Sequence, residues 1–280
     1  MDTREEHRCF DGRIGYYSHA SAEISAPMNF AVYLPPAALQ GQKIPALYYL
    51  AGLTCTEETF MIKAGAQRLA AELGLMLVTC DTSPRGLNLP GDSESWDFGV
   101  AAGFYLDATQ SPWSGHYRMG SYLSKELPKV IEANFPAAGD RRGIFGHSMG
   151  GHGALVHALR EPDQWHSVSA FAPISNPCAV PWGEKAFGNY LGSDRSQWQL
   201  WDASQLMRKR AYRGEILVDQ GEADQFLVPQ LKPEALEAAA KFSGQKLRLR
   251  RHSGYDHSYW FIQTFVADHL RHHAQALGII

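Results

Sequence analysis

The sequence is poor in cysteine, in long apolar runs and in excess basic charge, and each shortage excludes a class of protein. Its four cysteines lie far apart: Cys9, Cys55, Cys80 and Cys178. Without a C-x-x-C pair or a histidine at metal-site spacing, they predict reduced, partly buried thiols rather than disulfides or a metal site. No apolar run approaches the ~18 residues that a membrane helix needs. Lys plus Arg number 26 against 29 Asp plus Glu, which disfavours binding to a nucleic-acid backbone.

The rest of the composition is that of a soluble globular protein, with 45% hydrophobic and 20% charged residues. The N-terminal stretch MDTREEHRCF is charged from its second residue and lacks the apolar segment of a signal peptide. We therefore expect a cytoplasmic protein. The 280 residues contain no internal repeat and no long polar linker, so we expect one domain spanning residues 1–280.

Short apolar runs alternate with helix-like segments along most of the chain. The runs that predict strands cover residues 44–51, 73–80, 143–146, 168–172, 215–219 and 246–251. The segments that predict helices cover residues 64–73, 121–134, 151–160, 233–242 and 259–277. This alternation predicts an α/β fold with a mostly parallel sheet covered on both faces, and residues 14–21 and 29–34 could add an antiparallel hairpin at one edge. In such sheets, the chemistry gathers beyond the carboxyl ends of the strands.

The stretch GHSMG at residues 146–150 surrounds one serine with glycines, between a predicted strand and a predicted helix. It fits G-x-S-x-G, a sharp turn that exposes a serine oxygen above the sheet, where the glycines avoid clashes between strand and helix. Ser148 is therefore predicted as a nucleophile, and the alternative is a tight glycine turn with an incidental serine. His147 and His152 lie too close in sequence to act as its base, so we expect them to be packing or hydrogen-bonding residues.

A serine nucleophile needs a histidine base, which follows it in the chain order of this kind of fold. His257 stands in SGYDHSYW, a loop between the last predicted strand and the final helix, and is the preferred base. His269, His272 and His273 belong to that helix, where a solvated face is expected. A metal site built from these three histidines is a weak alternative.

The imidazole in turn needs a carboxylate to hold its working tautomer. The stretch EILVDQGEADQF offers Asp219 at the end of a predicted strand and Asp224 in the loop that follows. Asp224 is preferred because a loop carboxylate could turn towards the neighbouring strand, and Asp219 stays open as the alternative. Asp256, the direct neighbour of His257, is poorly placed to orient it.

The developing oxyanion of such a reaction needs two N–H donors. One is expected from Met149, which follows the serine, and the other from the loop after an early strand. LAGLTCTEETF supplies that loop, and Leu53 is the candidate within it.

Six separated blocks of the sequence carry a closer likeness to a known family. They are LAGLTCTEETF (50–60), DTSPRG (81–86), SWDFGVAAGFYLDAT (95–109), FGHSMGGHGAL (145–155), KAFGNYLG (185–192) and GYDHSYWF (254–261). In this order they resemble the S-formylglutathione hydrolases, also called the esterase D family. The resemblance implies an α/β-hydrolase fold and a cytosolic homodimer without metal or organic cofactor. It also implies hydrolysis of the thioester S-formylglutathione to glutathione and formate, with side activity on small activated esters.

Carried over position by position, the resemblance implies a triad and two oxyanion donors: Ser148, Asp224 and His257, with Leu53 and Met149. Two departures are modest, since Ala51 stands where serine is frequent and Trp260 where another aromatic residue is usual. They could reshape the edge of the pocket and leave the triad assignment intact. A broad carboxylesterase or acyltransferase is the nearest alternative, and a binding or scaffold protein with a vestigial site is the alternative from another class.

The small formyl group predicts a narrow acyl side of the site. Candidates for its walls, each of which could equally be core, are Trp96, Phe98, Phe104 and Trp182. Candidates for contact with glutathione carboxylates are Lys63, Arg85 and Lys185, although for any one of them a solvated surface charge is the preferred interpretation. Cys55 lies beside the proposed oxyanion loop, where a thiol reagent could block the site or where the thiol could be buried and inert.

Overall fold

In a computed structural model that describes all 280 residues, nine strands form one sheet. The strands are β1 (Asp2–Cys9), β2 (Gly12–Ser21), β3 (Ala26–Leu34), β4 (Ile44–Leu50), β5 (Met76–Cys80), β6 (Ala137–His147), β7 (Ser167–Phe171), β8 (Ile216–Gly221) and β9 (Leu247–His252). Their order across the sheet is β1-β2-β3-β5-β4-β6-β7-β8-β9. The strands from β5 to β9 in this order are parallel, and β1, β2 and β3 add antiparallel pairs at one side. The predicted mostly parallel sheet is confirmed.

Eleven α-helices connect and cover the strands. They are α1 (Pro36–Leu39), α2 (Glu57–Lys63), α3 (Gln67–Leu73), α4 (Met119–Ser121), α5 (Leu127–Asn134), α6 (Met149–Arg160), α7 (Pro181–Leu191), α8 (Arg195–Trp198), α9 (Ala203–Lys209), α10 (Pro233–Ser243) and α11 (Tyr259–Ala276). Helices α6, α9 and α10 form one packed group, and α3 and α11 form another. Because α6 and α11 both contact β7, the middle of the sheet is covered on its two faces. None of the helices combines the length and the apolar character that a membrane span requires.

The central strands are buried along their whole length, so their side chains show no apolar–polar alternation. All seven residues of β4 are buried, as are all five of β7. Strands covered on both faces read as continuous apolar runs, which is why the sequence located them. The buried apolar side chains form one connected core that reaches from Ile14 to Leu277.

Several features of the fold differ from the sequence prediction. Helices α7 and α9 were not predicted, and two further differences have a clear physical reason. Strand β1 was not predicted, because DTREEHRC is charged and shows no apolar periodicity; it pairs through its backbone with β2 and stays exposed. The helix predicted over residues 64–73 begins later, as α3 (Gln67–Leu73), and a separate helix that was not predicted, α2 (Glu57–Lys63), precedes it. The break falls at Gly65, whose φ of 66° is a conformation that favours glycine.

The carboxyl ends of four parallel strands place the candidate residues at one edge of the sheet. Strand β4 leads to Leu53, β6 to Ser148, β8 to Asp224 and β9 to His257. Parallel strands end at the same edge, so residues from distant parts of the sequence meet there.

Candidate active site

Ser148 lies between the last residue of β6 and the first residue of α6. Its φ of 57° and ψ of −119° place a non-glycine residue in a sparsely populated backbone region. Its N–H donates to the Phe171 carbonyl at 2.9 Å, and its carbonyl accepts from the His152 N–H at 3.0 Å. These two hydrogen bonds hold the strained turn, which agrees with the local geometry that G-x-S-x-G predicts.

The glycines on either side of this turn are required by close backbone contacts. A Cβ atom on Gly146 would lie 2.4 Å from the Gly150 carbonyl oxygen. A Cβ atom on Gly150 would lie 2.0 Å from the Leu50 carbonyl oxygen. Neither distance is compatible with a side chain, so the first turn of α6 packs directly on the ends of β4 and β6.

Asp224 and His257 are joined by a hydrogen bond in which Nδ1 of His257 lies 2.5 Å from Oδ2 of Asp224. The carboxylate also accepts from the Phe226 N–H at 2.8 Å and from Nε2 of Gln220 at 3.4 Å. Its side chain is buried, so these donors fix its orientation. A carboxylate only accepts, which assigns the proton of a neutral His257 to Nδ1 and leaves the lone pair on Nε2.

Ser148 and His257 line the same cavity, whose volume is about 330 Å³. The Ser148 hydroxyl makes no hydrogen bond to another protein group, His257 included, and this leaves it unengaged at the cavity wall. Catalytic hydrogen bonds often form only when a substrate binds, so the missing hydrogen bond between Ser148 and His257 does not argue against proton transfer between them. A volume of this size is at the small end of the range for ligand sites.

Two unengaged backbone donors belong to Leu53 and Met149. Leu53 lines the cavity. Its N–H makes no hydrogen bond within the protein, whereas the N–H groups of the two residues that follow it each donate to a backbone carbonyl. Met149 is the first residue of α6, so its N–H has no acceptor within the helix. The positive end of the dipole of this helix also favours negative charge beside Ser148.

His147 packs against the candidate base and was not predicted as part of the site. Its ring centroid lies 4.3 Å from that of His257, and it lines the same cavity. Burial lowers the pKa of His147 well below its ordinary value, and the charge of His257 lowers it further. A neutral ring therefore supports His257 without adding a second positive charge. His152 is also buried, and burial lowers its pKa to about 3.

Asp219, the alternative acid, is committed to other partners. Arg250 donates to its two carboxylate oxygens at 2.6 and 2.5 Å, and Nε2 of His269 lies 3.2 Å from Oδ2. Burial raises the pKa of Asp219, but the hydrogen bonds from His269 and Arg250 outweigh it and lower the pKa overall. The structure thus brings Asp224, and not Asp219, to His257.

The three histidines of α11 do not lie on a solvated face, so that expectation is wrong. His269 and His273 are fully buried, and His272 is 7% exposed. The Ser169 hydroxyl lies 2.8 Å from Nδ1 of His269 and 2.9 Å from Nε2 of His273. Nε2 of His272 lies 3.1 Å from the Val168 carbonyl. These side chains connect α11 to β7 by hydrogen bonds. No group of three or more His, Cys, Asp or Glu side chains is arranged to hold a metal ion.

Of the four predicted wall residues, Trp96 and Trp182 line the cavity. Their ring centroids lie 5.6 Å apart with the rings at 87°, which is an edge-to-face contact. Phe98 and Phe104 are core residues instead and do not reach this cavity. Sequence reasoning missed Phe226, which contacts both Trp182 and His257 at centroid distances of 4.7 and 5.1 Å. Its position two residues after Asp224 was the available signal.

The three cations considered for contact with glutathione differ in whether they already form an ion pair and in whether they line the cavity. Nζ of Lys185 bonds to Asp97 at 2.5 Å, outside this cavity, so its expected place beside the substrate is not found. Arg85 donates to both carboxylate oxygens of Asp81 at 2.7 and 2.8 Å. Lys63 alone lines the cavity.

Cys55 also lines the cavity, beside the Leu53 loop. Burial raises the pKa of its thiol, although the hydroxyl of Thr59 and the charge of Lys63 oppose that effect. The protonated thiol is the less reactive form, so Cys55 is reachable but not activated.

Comparison with known proteins places these observations in a family. Residues 21–272 match the family model described as "Putative esterase". An S-formylglutathione hydrolase of Mus musculus is 53% identical over 275 residues, which cover 97% of this chain and 96% of that protein. One from Paracoccus denitrificans is 51% identical over 277 residues, covering 99% and 98%.

A solved structure shows the same likeness in three dimensions. The S-formylglutathione hydrolase from Agrobacterium tumefaciens superposes with a TM-score of 0.96 at 47% identity, covering 99% of this chain and all of that one. Together with the nine-stranded sheet, this similarity confirms the predicted α/β-hydrolase fold.

Proposed function

The chain belongs to the S-formylglutathione hydrolase family of esterases, and on that premise we propose that Ser148, Asp224 and His257 hydrolyse S-formylglutathione to glutathione and formate. The observation that carries the proposal is the 2.5 Å hydrogen bond between His257 and Asp224, in a cavity shared with Ser148. A buried acid, an oriented imidazole and a serine on a strained turn are the parts that acyl transfer needs.

Acylation begins when the Ser148 oxygen attacks the formyl carbon and Nε2 of His257 takes the hydroxyl proton. The carbonyl oxygen becomes an oxyanion that accepts hydrogen bonds from the Leu53 and Met149 N–H groups. As the carbon–sulfur bond breaks, the imidazolium returns its proton to the sulfur and glutathione leaves as a thiol. Asp224 stabilises the imidazolium and keeps Nδ1 protonated throughout.

Deacylation repeats these steps with water in place of serine. His257 takes a proton from the water as its oxygen attacks the formyl-serine carbon. The ester bond breaks, the proton returns to the Ser148 oxygen, and the product leaves as formic acid, which gives its remaining acidic proton to solvent and becomes formate. Every group required is a side chain or backbone N–H of this chain.

The acyl side of the cavity fits a small group. Trp182 is buried and makes contacts with Trp96 and Phe226, so these three rings form a continuous aromatic wall. A one-carbon acyl group needs little space, whereas a longer chain would have to displace this wall. Small activated esters should therefore be accepted as side substrates.

Steady-state kinetics of the wild-type enzyme test the substrate assignment. We expect kcat/KM for S-formylglutathione to exceed that for p-nitrophenyl acetate by about tenfold or more, which corresponds to about 1.4 kcal/mol of additional transition-state binding. Equal or lower values for the thioester would instead favour the broad carboxylesterase.

We also propose that the chain forms a single domain, acts in the cytoplasm and assembles as a homodimer. Support for the domain is the single sheet with one connected core. All four cysteines are free, which fits a reducing compartment. Support for the dimer is the family resemblance alone.

A further inference from the structure

A second hollow adjoins the catalytic cavity and shares two of its residues. Its volume is about 640 Å³, and both hollows are lined by Lys63 and Tyr259. The full lining of the second hollow is Ile62, Lys63, Ser258, Tyr259, Trp260 and Gln263. The catalytic cavity is small for a tripeptide thioester, so the part of the substrate that leaves with the sulfur needs additional space. The adjoining hollow supplies it.

Lys63 stands at the junction of the two hollows and has no carboxylate partner. It is the last residue of α2, and its ammonium group lies 5.8 Å from the centroid of the Tyr259 ring. The other two candidate cations are held by Asp81 and Asp97. Only Lys63 is therefore available to an anionic ligand without first breaking an ion pair.

The charge around Lys63 suits an anion. Neither hollow is lined by an aspartate or glutamate, and Lys63 is the single lysine or arginine among the lining residues. The glutathione part of the substrate carries two carboxylates and one ammonium group, and so has a net negative charge at neutral pH. An unpaired cation in a hollow without acidic side chains matches that charge.

Two large apolar side chains border the same hollow. Trp260 is 77% exposed and Ile62 is 68% exposed, although both stand beside a substrate cavity. Exposed apolar groups at the rim of a polar hollow are typical of ligand-binding surfaces. The methylene groups of a γ-glutamyl chain or the peptide planes of glutathione could cover them.

We propose that the leaving glutathione occupies this second hollow and that Lys63 binds one of its carboxylates, making Lys63 a residue that determines leaving-group specificity. The inference rests on the proposed function, because it takes S-formylglutathione as the substrate. In this arrangement the formyl group of the substrate lies against the aromatic wall. The glutathione part, on the other side of the scissile bond, lies against Lys63 and Trp260.

The test reverses the charge at Lys63 and compares a charged with an uncharged leaving group. For Lys63→Glu we expect kcat/KM for S-formylglutathione to fall about tenfold, mainly through KM, since a partly exposed ion pair accounts for about fivefold and repulsion adds to it. The value for p-nitrophenyl acetate should change less than about twofold, because that ester carries no charge. Added salt should lower kcat/KM for S-formylglutathione in the wild type more than in the variant.

Lys43→Glu is the matched control, because Lys43 is an exposed lysine before β4, at the opposite edge of the sheet. Its kinetics should equal those of the wild type on both substrates. The proposal is overturned if Lys63→Glu keeps its KM for S-formylglutathione within about twofold, or if both substrates lose activity equally.

A second measurement separates failure of this inference from failure of the proposed function. Free glutathione should inhibit p-nitrophenyl acetate hydrolysis competitively, and Lys63→Glu should raise its inhibition constant by a similar factor. That result would support the subsite even if S-formylglutathione were not turned over by the wild type. Equal inhibition of both proteins, or none of either, would contradict it.

Discussion

At the scale of single residues, the site depends on how two aspartates of one segment are partnered. Asp219 lies within the sheet and is hydrogen-bonded to Arg250. Asp224 lies in the loop beyond Gly221 and is hydrogen-bonded to His257. A five-residue separation along the chain thus places the two carboxylates in different networks. The first network links β8 to β9 and α11, and the second orients His257, the proposed base.

Matched substitutions distinguish the two aspartates. Asp224→Asn should lower kcat about 10³- to 10⁴-fold with little change in stability, because an amide cannot stabilise the imidazolium or select its tautomer. Asp219→Asn should keep kcat within a few-fold but lower the free energy of unfolding by about 2 kcal/mol, since Arg250 loses one of its two carboxylate partners and keeps only Asp268. Steady-state assays and urea unfolding of both variants give the answer. The opposite pattern would assign the acid role to Asp219.

Much of the site could be predicted from the residues, because its chemistry restricts residue type. The turn at Ser148 needs glycines, and the base and acid must follow it in a fixed chain order. The contacts of His147 and Phe226 could not be predicted, since a neutral packed ring leaves no distinctive sequence pattern. The ion pair of Lys185 could not be predicted either, because a sequence does not reveal that Asp97 lies within reach of its ammonium group.

At the scale of secondary-structure elements, α11 is fastened to β7 by buried polar side chains. A helix was expected over residues 259–277 and is found as Tyr259–Ala276. Its histidines were misplaced because polar side chains normally mark the solvent face of a helix. Here they bond to Ser167, Ser169 and the Val168 carbonyl, which themselves lie in the middle of the sheet.

The burial of histidines between α11 and β7 predicts that the protein loses stability in mild acid. Burial lowers the pKa of His272 to about 4, from an ordinary value of 6.5. Between these values the unfolded chain binds a proton that the folded chain does not, so the free energy of unfolding is largest above pH 6.5 and falls as the pH drops towards 4. The slope for one such proton reaches about 1.4 kcal/mol per pH unit.

Urea unfolding at pH 7.5, 5.5 and 4.5 measures this loss. The variant His272→Gln cannot titrate and should lose less stability than the wild type over the same interval. The other buried histidines remain in the variant and account for the loss that persists. An unchanged slope in His272→Gln would show that His272 does not contribute.

At the scale of the whole molecule, one edge of the sheet assembles a site from four separate segments. The mostly parallel sheet could be predicted because its buried strands are continuous apolar runs between helices. Strand β1 could not, because its pairing depends on the free edge of β2 and not on its own apolar pattern. Charged edge strands of this kind also limit unwanted pairing with other chains.

The account rests on Ser148 being the activated nucleophile, and covalent labelling tests this most directly. A fluorophosphonate should modify the wild-type enzyme at Ser148, located by peptide mass spectrometry, and abolish hydrolysis of S-formylglutathione. Ser148→Ala should fold as the wild type does by circular dichroism, yet take up no label and show no turnover. A Ser148→Ala protein that is still labelled, or that retains near-normal activity, would contradict the account.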